Sequence, residues 1–428
     1  MCYNIAAMAK YIVENSGPLF GEVTISGAKN AALPILAATV LTDGVCEINE
    51  VPRLKDIDVM CRILRSLGAV VEEDWENHSI TVDGSGINVS EVPYDLVKLM
   101  RASIFVMGPL LARLGKASIA QPGGCAIGSR PIDLHAKGLR LLGARVAIDD
   151  GMVNASVDRL KGTLVYLDFP SVGATENIMM AATLAGGVTT IENAAEEPEI
   201  VDLASFLNKM GAKIKGAGTD TIKIEGVKKL HGTRHAVIPD RTETGTFMVA
   251  AAITRGNVLI KNCLPDHVRP VIAKLIECGA VVQDELEGLR VRGDVNRLVA
   301  TSIKTLPYPG FPTDMQAPFM ALLTTVSGES TVIETVFENR FMHAAELSRM
   351  GANIRVDGSV AKVPGDKRPL VGAPVMATDL RAGAALVLAG LVAKGTTEVS
   401  EIYHVERGYE GFVEKLSALG AKIRLVED

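Results

Sequence analysis

A chain of 428 residues with 48% hydrophobic side chains exceeds what one core usually holds, so two domains are expected and a small stapled scaffold is excluded. A net charge of -6, with no block of Lys or Arg, argues against bulk attraction to nucleic acid, so any anionic ligand must meet a local gathering of basic side chains. The longest apolar runs, such as 384–393, stop well short of the roughly 20 residues that span a bilayer, and the six cysteines include no Cys-x-x-Cys pair, which speaks against a disulfide framework or a zinc site.

Met1 to Lys10 has no basic leader followed by an apolar core, so no secretory signal is expected and the cytoplasm is the expected location. A first strand reads near Gly21 to Ser26 and leads into a helix opening Ala31-Ala32-Leu33-Pro34. From there a helix, a small-residue turn and a strand recur, with turns at Leu67-Gly68-Ala69, Leu142-Gly143-Ala144, Met210-Gly211-Ala212, Cys278-Gly279-Ala280, Met350-Gly351-Ala352 and Leu419-Gly420-Ala421. These glycines lie about 70 residues apart, beyond solenoid periods, so each repeat is a supersecondary block and six blocks fill the chain. Each glycine sits where a helix C-terminus needs left-handed backbone, and the following residues alternate as a strand does, as in Ala212-Lys213-Ile214-Lys215.

Every block also holds an Ala- and Met-rich helix, a Gly turn and a β-branched strand, plainest in 175–192 and 243–261. Helices apolar nearly all round are expected inside, enclosed by strands, the reverse of the usual α/β layering. The blocks divide into two groups of three, with a crossover at Val237-Ile238-Pro239-Asp240, where proline ends a strand. The domains so read are 29–239, carrying a loop around Cys125, and 1–28 with 240–428, the first strand crossing back to pair with the last blocks.

Among residues able to do chemistry, Ser26-Gly27-Ala28-Lys29-Asn30 brings backbone N–H groups and a Lys29 charge to a helix N-terminus, which suits an anion. A solvated turn is the ordinary alternative, and the glycine spacing is not that of a P-loop. Arg101 lies in a helical pattern with Leu96, Met100, Ile104 and Met107, close to its buried stripe, and Arg381 holds the matching place in Thr378-Asp379-Leu380-Arg381-Ala382. A buried guanidinium needs a partner, and for Arg381 the ordinary one is Asp379.

The segment 121–133, QPGGCAIGSRPID, reads as a mobile loop entering a helix with Ile132, Ala136, Leu139 and Leu142 on one face. Cys125 at its tip is expected to be accessible, with Arg130 drawing it toward the thiolate, although a lone cysteine is more often a small buried hydrophobe. Asp314 opens the fifth Ala/Met-type helix, either as an N-cap or, in a dry cleft, as an acceptor for a hydroxyl proton. Arg340 and Arg407 sit at loop–helix junctions beside Glu338 and Glu406, their ordinary partners. His135 and His343 show no metal-ligand spacing and read as structural or hydrogen-bonding residues.

Taken together, Ser26 to Asn30, Pro122-Gly123-Gly124-Cys125, Arg130-Pro131-Ile132-Asp133-Leu134-His135, Ser171-Val172-Gly173-Ala174-Thr175, Phe311-Pro312-Thr313-Asp314-Met315-Gln316 and Asp379-Leu380-Arg381 closely resemble the UDP-N-acetylglucosamine 1-carboxyvinyltransferases of the enolpyruvyl transferase family. The match runs from about Gly17 to the C-terminus, in the family's order and separation, and Met8 in Met8-Ala9-Lys10-Tyr11 is an alternative start. The resemblance implies an inside-out α/β barrel fold, two domains each of three βαβαββ units, with the active site in the cleft between them. It implies transfer of the enolpyruvyl group of phosphoenolpyruvate to the 3'-hydroxyl of UDP-N-acetylglucosamine through a tetrahedral phospho-ketal, releasing phosphate. This is the first committed step of peptidoglycan precursor synthesis. No cofactor, metal, nucleic acid, membrane or obligate protein partner is implied.

By motif match, Cys125 is implied as the acid that protonates C3, with a covalent adduct as a further role, and Asp314 as the base toward the hydroxyl. Lys29, Arg130 and Arg407 are implied to hold phosphoenolpyruvate, with Arg101 nearby and Arg381 at its carboxylate end. Asn30, Asp133, Ser171, Val172, Gly173 and Phe337 fall at positions resembling nucleotide-sugar contacts, and Pro131, Leu134, Arg340 and Asp379 complete the substrate-binding set. Phe169 stands where some members carry lysine, which puts one diphosphate contact in doubt. The nearest alternative is a 3-phosphoshikimate 1-carboxyvinyltransferase, which shares the chemistry but is not expected to carry the Pro-Gly-Gly-Cys loop. A nucleotide-sugar-binding regulator without activity is the other, and the joint presence of Cys125, Asp314, Lys29 and Arg407 speaks against it.

Overall fold

The computed structural model describes residues 9–121, 132–149, 151–365 and 369–427, so Cys125, Arg130, Pro131 and the loop reading around them lie outside the described residues. The chain forms two compact units. An N-terminal unit holds the described residues of Gly27–Gly124 and Arg130–Ile238, and a C-terminal unit holds those of Met1–Ser26 and Pro239–Asp428. Each unit has its own hydrophobic core, one built from residues between Ala28 and Val237, the other from Tyr11 to Ile25 together with Phe247 to Ile423.

Among the described residues each unit carries three small sheets, five of the six with four strands on one scheme and that of Lys116–Ala120, Met152–Ser156 and Arg145–Asp149 with three. In the fourth block, for example, Asn257–Lys261 pairs antiparallel with Gly288–Arg292, which pairs antiparallel with Val281–Glu285, while Phe20–Thr24 lies parallel along the other edge. The strand expected near Gly21 to Ser26 is Phe20–Thr24, and among the last three blocks it is the fourth that it joins. The last block instead takes Lys10–Glu14 between Thr396–Ser400 and Lys422–Val426. In the other blocks the hairpin strand follows the amphipathic helix and its strand; in the last block Lys10–Glu14 takes that place.

Three helices lie at the centre of each unit: Lys29–Ala38, Met107–Leu114 and Val172–Ala182 in one, and Arg241–Ile253, Gln316–Leu323 and Leu380–Gly390 in the other. Burial is nearly complete, with only Asn30 spared in Lys29–Ala38, only Arg241 in Arg241–Ile253 and none in Gln316–Leu323. Alanine, glycine and methionine on all sides let these helices pack on one another and under the sheets, so the expected inversion of α/β layers is observed. The amphipathic helices end as expected: Gly68, Gly143, Gly211, Gly279, Gly351 and Gly420 take φ of 107°, 99°, 100°, 101°, 91° and 96°. Among the described residues no helix is long and apolar enough to cross a membrane.

Of the carboxyl groups buried in the two units, one stands without a hydrogen-bond partner among the described residues. Glu176, in Val172–Ala182, is fully buried, neither carboxylate oxygen has a hydrogen-bond partner among the described residues, and burial, then Glu199 and Glu197, push its pKa well above the ordinary value. The folded state thus holds this proton more tightly than the unfolded chain, whose carboxyl titrates near about 4.3. The stabilisation is complete below that value and falls as pH climbs toward the raised one. Glu176→Gln removes the slope: urea unfolding at pH 5, 6, 7 and 8 is expected to show the wild type losing up to about 1.4 kcal/mol per pH unit relative to the variant.

Candidate functional site

Each central helix begins with a position that the repeat itself defines. Asn30, Arg101, Gly173, Thr242, Asp314 and Arg381 each lie fourteen residues before the glycine that follows the helix, namely Gly44, Gly115, Gly187, Gly256, Gly328 and Gly395. Five of these six were singled out from motifs. Thr242 was missed, although counting back from the glycines finds it. A helix start exposes unpaired N–H groups and the positive end of the helix dipole, so a position repeated at every start is suited to polar or anionic ligands.

In the C-terminal unit the starts of the last two central helices meet. Asp379 caps Leu380–Gly390, accepting from the N–H groups of Arg381 (2.9 Å) and Ala382 (3.1 Å). With Asp379 turned to the backbone, the expected Arg381–Asp379 side-chain pairing is replaced by one to Asp314. Arg381, 2% exposed, donates from Nε to Asp314 Oδ2 at 3.2 Å and lies with its guanidinium 5.1 Å from the centre of the Tyr409 ring. Asp314 Oδ1 accepts from Arg340 at 2.8 Å, so Arg340, 4% exposed, also pairs with Asp314 and not with Glu338. Asp314 itself lies in a 3-10 turn, Thr313–Met315, and does not cap the helix.

The segment carrying Phe337 and Arg340 is tied down by the buried Glu334. Its carboxylate accepts from the hydroxyls of Thr305 and Thr313 and from the N–H groups of Val336 and Phe337. Arg340 in turn donates to Thr313 Oγ1 and lies over the Phe337 ring. Asp314 is thereby fixed between two guanidiniums. Arg407 directly follows the short helix Tyr403–Glu406; any side chain at Gly408 would meet Leu380 at 2.5 Å, and that close approach places Arg407 beside the start of Leu380–Gly390.

In the N-terminal unit Lys29 is the first helical residue, and its Nζ lies 3.1 Å from Asp56 Oδ2. The solvated alternative is overturned, since Lys29 is 9% exposed and Asp56 5%. Asp56, in the first turn of Lys55–Ser66, was missed because a partner across two helices has no local signal. Ser171 caps Val172–Ala182 by accepting from Ala174 N–H, and Asp133 opens the helix Asp133–Leu141, with Leu134 packed on the core.

Arg101 does not sit inside a continuous helix. A helix Tyr94–Leu99 stops, Met100 is extended (φ -150°, ψ 120°), and Arg101 begins a 3-10 segment, Arg101–Val106, that runs into Met107–Leu114. Further along, Asn177 interrupts the passage from that 3-10 segment into the helix. Its Oδ1 takes the N–H of Gly108 at 2.6 Å and its Nδ2 gives to the carbonyl of Ile104 at 2.8 Å, so the amide stands where the α-helical bond between those two residues would be. Pro109, with no N–H, leaves the next bond unmade as well. Among the described residues no group of three or more His, Cys, Asp or Glu is placed to hold a metal.

Comparison with known proteins gives a consistent result. Residues 13–416 match the profile of the EPSP synthase (3-phosphoshikimate 1-carboxyvinyltransferase) family. The chain is 62% identical to a UDP-N-acetylglucosamine 1-carboxyvinyltransferase 1 of Caldanaerobacter subterraneus subsp. tengcongensis, over 97% of this chain and 99% of that one. It is 60% identical to a UDP-N-acetylglucosamine 1-carboxyvinyltransferase 2 of Carboxydothermus hydrogenoformans, over 98% of this chain and 100% of the relative. Among solved structures it is similar to the enolpyruvyl transferase NikO of Streptomyces tendae (TM-score 0.88, 26% identity, 98% of this chain and 99% of that chain). An EPSP synthase of Acinetobacter baumannii shares the fold (TM-score 0.76, 20% identity, 98% and 100% covered).

Proposed function

The chain belongs to the UDP-N-acetylglucosamine 1-carboxyvinyltransferase family, and from that premise we propose that it transfers the enolpyruvyl group of phosphoenolpyruvate to the 3'-hydroxyl of UDP-N-acetylglucosamine in peptidoglycan precursor synthesis. The observation that carries this reading is 62% identity over nearly the whole of both chains to a relative of that name. The shikimate alternative rests on a fold neighbour at 20% identity and on a broad family profile, and neither selects an acceptor.

In the proposed reaction the sugar hydroxyl oxygen bonds to C2 of phosphoenolpyruvate, its proton passes to Asp314, and C3 takes a proton from Cys125. The tetrahedral adduct then loses a proton from C3 and expels phosphate from C2, restoring the double bond. Buried arginines supply fixed positive charge for two polyanionic substrates, at no reorganisation cost during reaction. Lys29, Arg101, Arg130, Arg381 and Arg407 are proposed to bind phosphoenolpyruvate. Asn30, Pro131, Asp133, Leu134, Ser171, Val172, Gly173, Phe337, Arg340 and Asp379 are proposed on the nucleotide-sugar side. The cytoplasm is the proposed place of action, and no metal or cofactor enters.

Phosphate release from phosphoenolpyruvate should depend on UDP-N-acetylglucosamine and be absent with shikimate 3-phosphate. Turnover of shikimate 3-phosphate alone would end the assignment, and nucleotide-sugar binding without phosphate release would favour the regulator. Cys125→Ala is expected to abolish covalent addition of the epoxide fosfomycin, read by intact mass; a persistent adduct would remove Cys125 from its role.

A further inference from the structure

Eleven residues before each turn glycine the repeat places a buried side chain: Ile57, Ile132, Ile200, Val268, Arg340 and Tyr409. In the first four blocks it is aliphatic and packs into the core of its unit. The last two blocks place a polar group there, and both groups meet the same ion pair. Arg340 grips Asp314, and Tyr409 lies against Arg381, the other partner of that carboxylate. The fold takes an aliphatic residue at this position four times, so packing alone does not call for a tyrosine in the sixth block.

The surroundings of Tyr409 fix both its ring and its proton. The ring packs on that of Phe412, 4.8 Å away between centres, and Phe412 packs in turn on Phe247. Thr246 Oγ1 donates to the carbonyl of Thr242 at 2.8 Å, and a hydroxyl has one proton, so in its 2.8 Å contact with Tyr409 the phenol must be the donor. Burial pushes the phenol's pKa up, which keeps it neutral near pH 7. With its proton turned to Thr246, Tyr409 leaves an electron-rich oxygen and ring face to the Arg381 guanidinium, 5.1 Å from the ring centre. Arg381 Nε and Nη2 lie 3.2 and 3.1 Å from Asp314 Oδ2, while Nη1 is buried without a hydrogen-bond partner among the described residues. The end of the guanidinium turned from Asp314 is thus held by an aromatic side chain. The chain of contacts Thr242–Thr246–Tyr409–Arg381–Asp314 runs through the starts of all three central helices of the C-terminal unit.

We propose that Tyr409 is a positioning residue for the reaction: its ring and its Thr246-bound hydroxyl hold the Arg381 guanidinium on Asp314, so that cation and base meet the reacting phosphoenolpyruvate in one fixed geometry. The proposal rests on the function inferred above, and Tyr409 acts only through Arg381. An aromatic face fixes a guanidinium without adding negative charge, whereas a second carboxylate at this place would cancel the charge that an anionic substrate is to meet.

The test is steady-state kinetics, calorimetric titration and thermal melting of Tyr409→Phe, Tyr409→Leu and Thr246→Val beside the wild type. Tyr409→Phe, which keeps the ring and loses the hydroxyl, is expected to lower kcat/KM for phosphoenolpyruvate about tenfold, with affinity for UDP-N-acetylglucosamine within about twofold. Tyr409→Leu, which loses the ring as well, is expected to lower it about a hundredfold. Thr246→Val frees the phenol proton to turn toward Arg381 and should cost about fivefold with Tyr409 in place, but nothing further in the Tyr409→Phe background. Wild-type kinetics in Tyr409→Phe, losses from Thr246→Val and Tyr409→Phe that add, or an equal fall in nucleotide-sugar affinity would make Tyr409 a packing residue and overturn the proposal. Should Tyr409→Leu fail to fold, the other two variants still decide, since each nearly conserves volume. Wild-type protein without nucleotide-sugar-dependent phosphate release would sink the function itself, whereas an active wild type with an unimpaired Tyr409→Phe variant sinks only this inference.

Discussion

Asp314→Asn is expected to lower turnover by about 10³-fold while leaving UDP-N-acetylglucosamine affinity nearly unchanged. The substitution conserves size, so the packing around Thr313–Met315 stays. What changes is the charge between Arg340 and Arg381, both nearly fully buried. An amide can still accept from one guanidinium but turns its own N–H groups toward the other. Breaking a buried ion pair costs about 3–5 kcal/mol, and because the Asp314 side chain is 31% exposed, solvent should reduce this to roughly 1–2 kcal/mol. Steady-state kinetics, calorimetric titration and thermal melting on one preparation separate the two roles. If affinity falls as far as turnover, Asp314 serves only to hold the arginines in place.

Lys29→Met should produce the second large effect. Asp56 then loses a cation 3.1 Å from its carboxylate in a buried setting, which is expected to cost about 3 kcal/mol of stability in the N-terminal unit. Adding Asp56→Leu replaces the pair with apolar side chains, and most of that stability should return, because a buried ion pair exchanged for well-packed hydrophobic groups is often neutral. Turnover should stay at least about 100-fold below wild type in both variants, since the ammonium proposed to bind phosphoenolpyruvate is absent from each. A double variant that regained turnover along with stability would show that Lys29 acts only through its pairing with Asp56.

Local patterns carried far in this chain where one turn or one helix stores the whole signal. The six glycines after the amphipathic helices were readable because left-handed backbone at a helix end selects glycine regardless of what surrounds it. The inward helices were readable because a segment apolar on every side has no face to give to water. Pairings that close across the fold were harder. Arg381 was read with its neighbour Asp379, yet the short Asp379 side chain is better used at its own helix end, and the guanidinium reaches Asp314 instead, 67 residues away. Arg340 repeats the lesson with the same carboxylate. The smooth helical pattern through Arg101 hid the extended Met100, and the Asn177 amide between Ile104 and Gly108 had no local signal because it comes from another block.

By itself the sequence determined the six-block repeat, the inward helices, the helix starts that bear the candidate residues and the family resemblance, since each is set by spacing or by backbone chemistry within a few residues. Only the tertiary structure decided that Asp314 is shared by two arginines, that Lys29 is buried against Asp56, and that Lys10–Glu14 completes the last sheet. The physical reason is common to all three: charge pairing and strand pairing depend on distances between atoms far apart in the chain, and those distances exist only once the chain has folded.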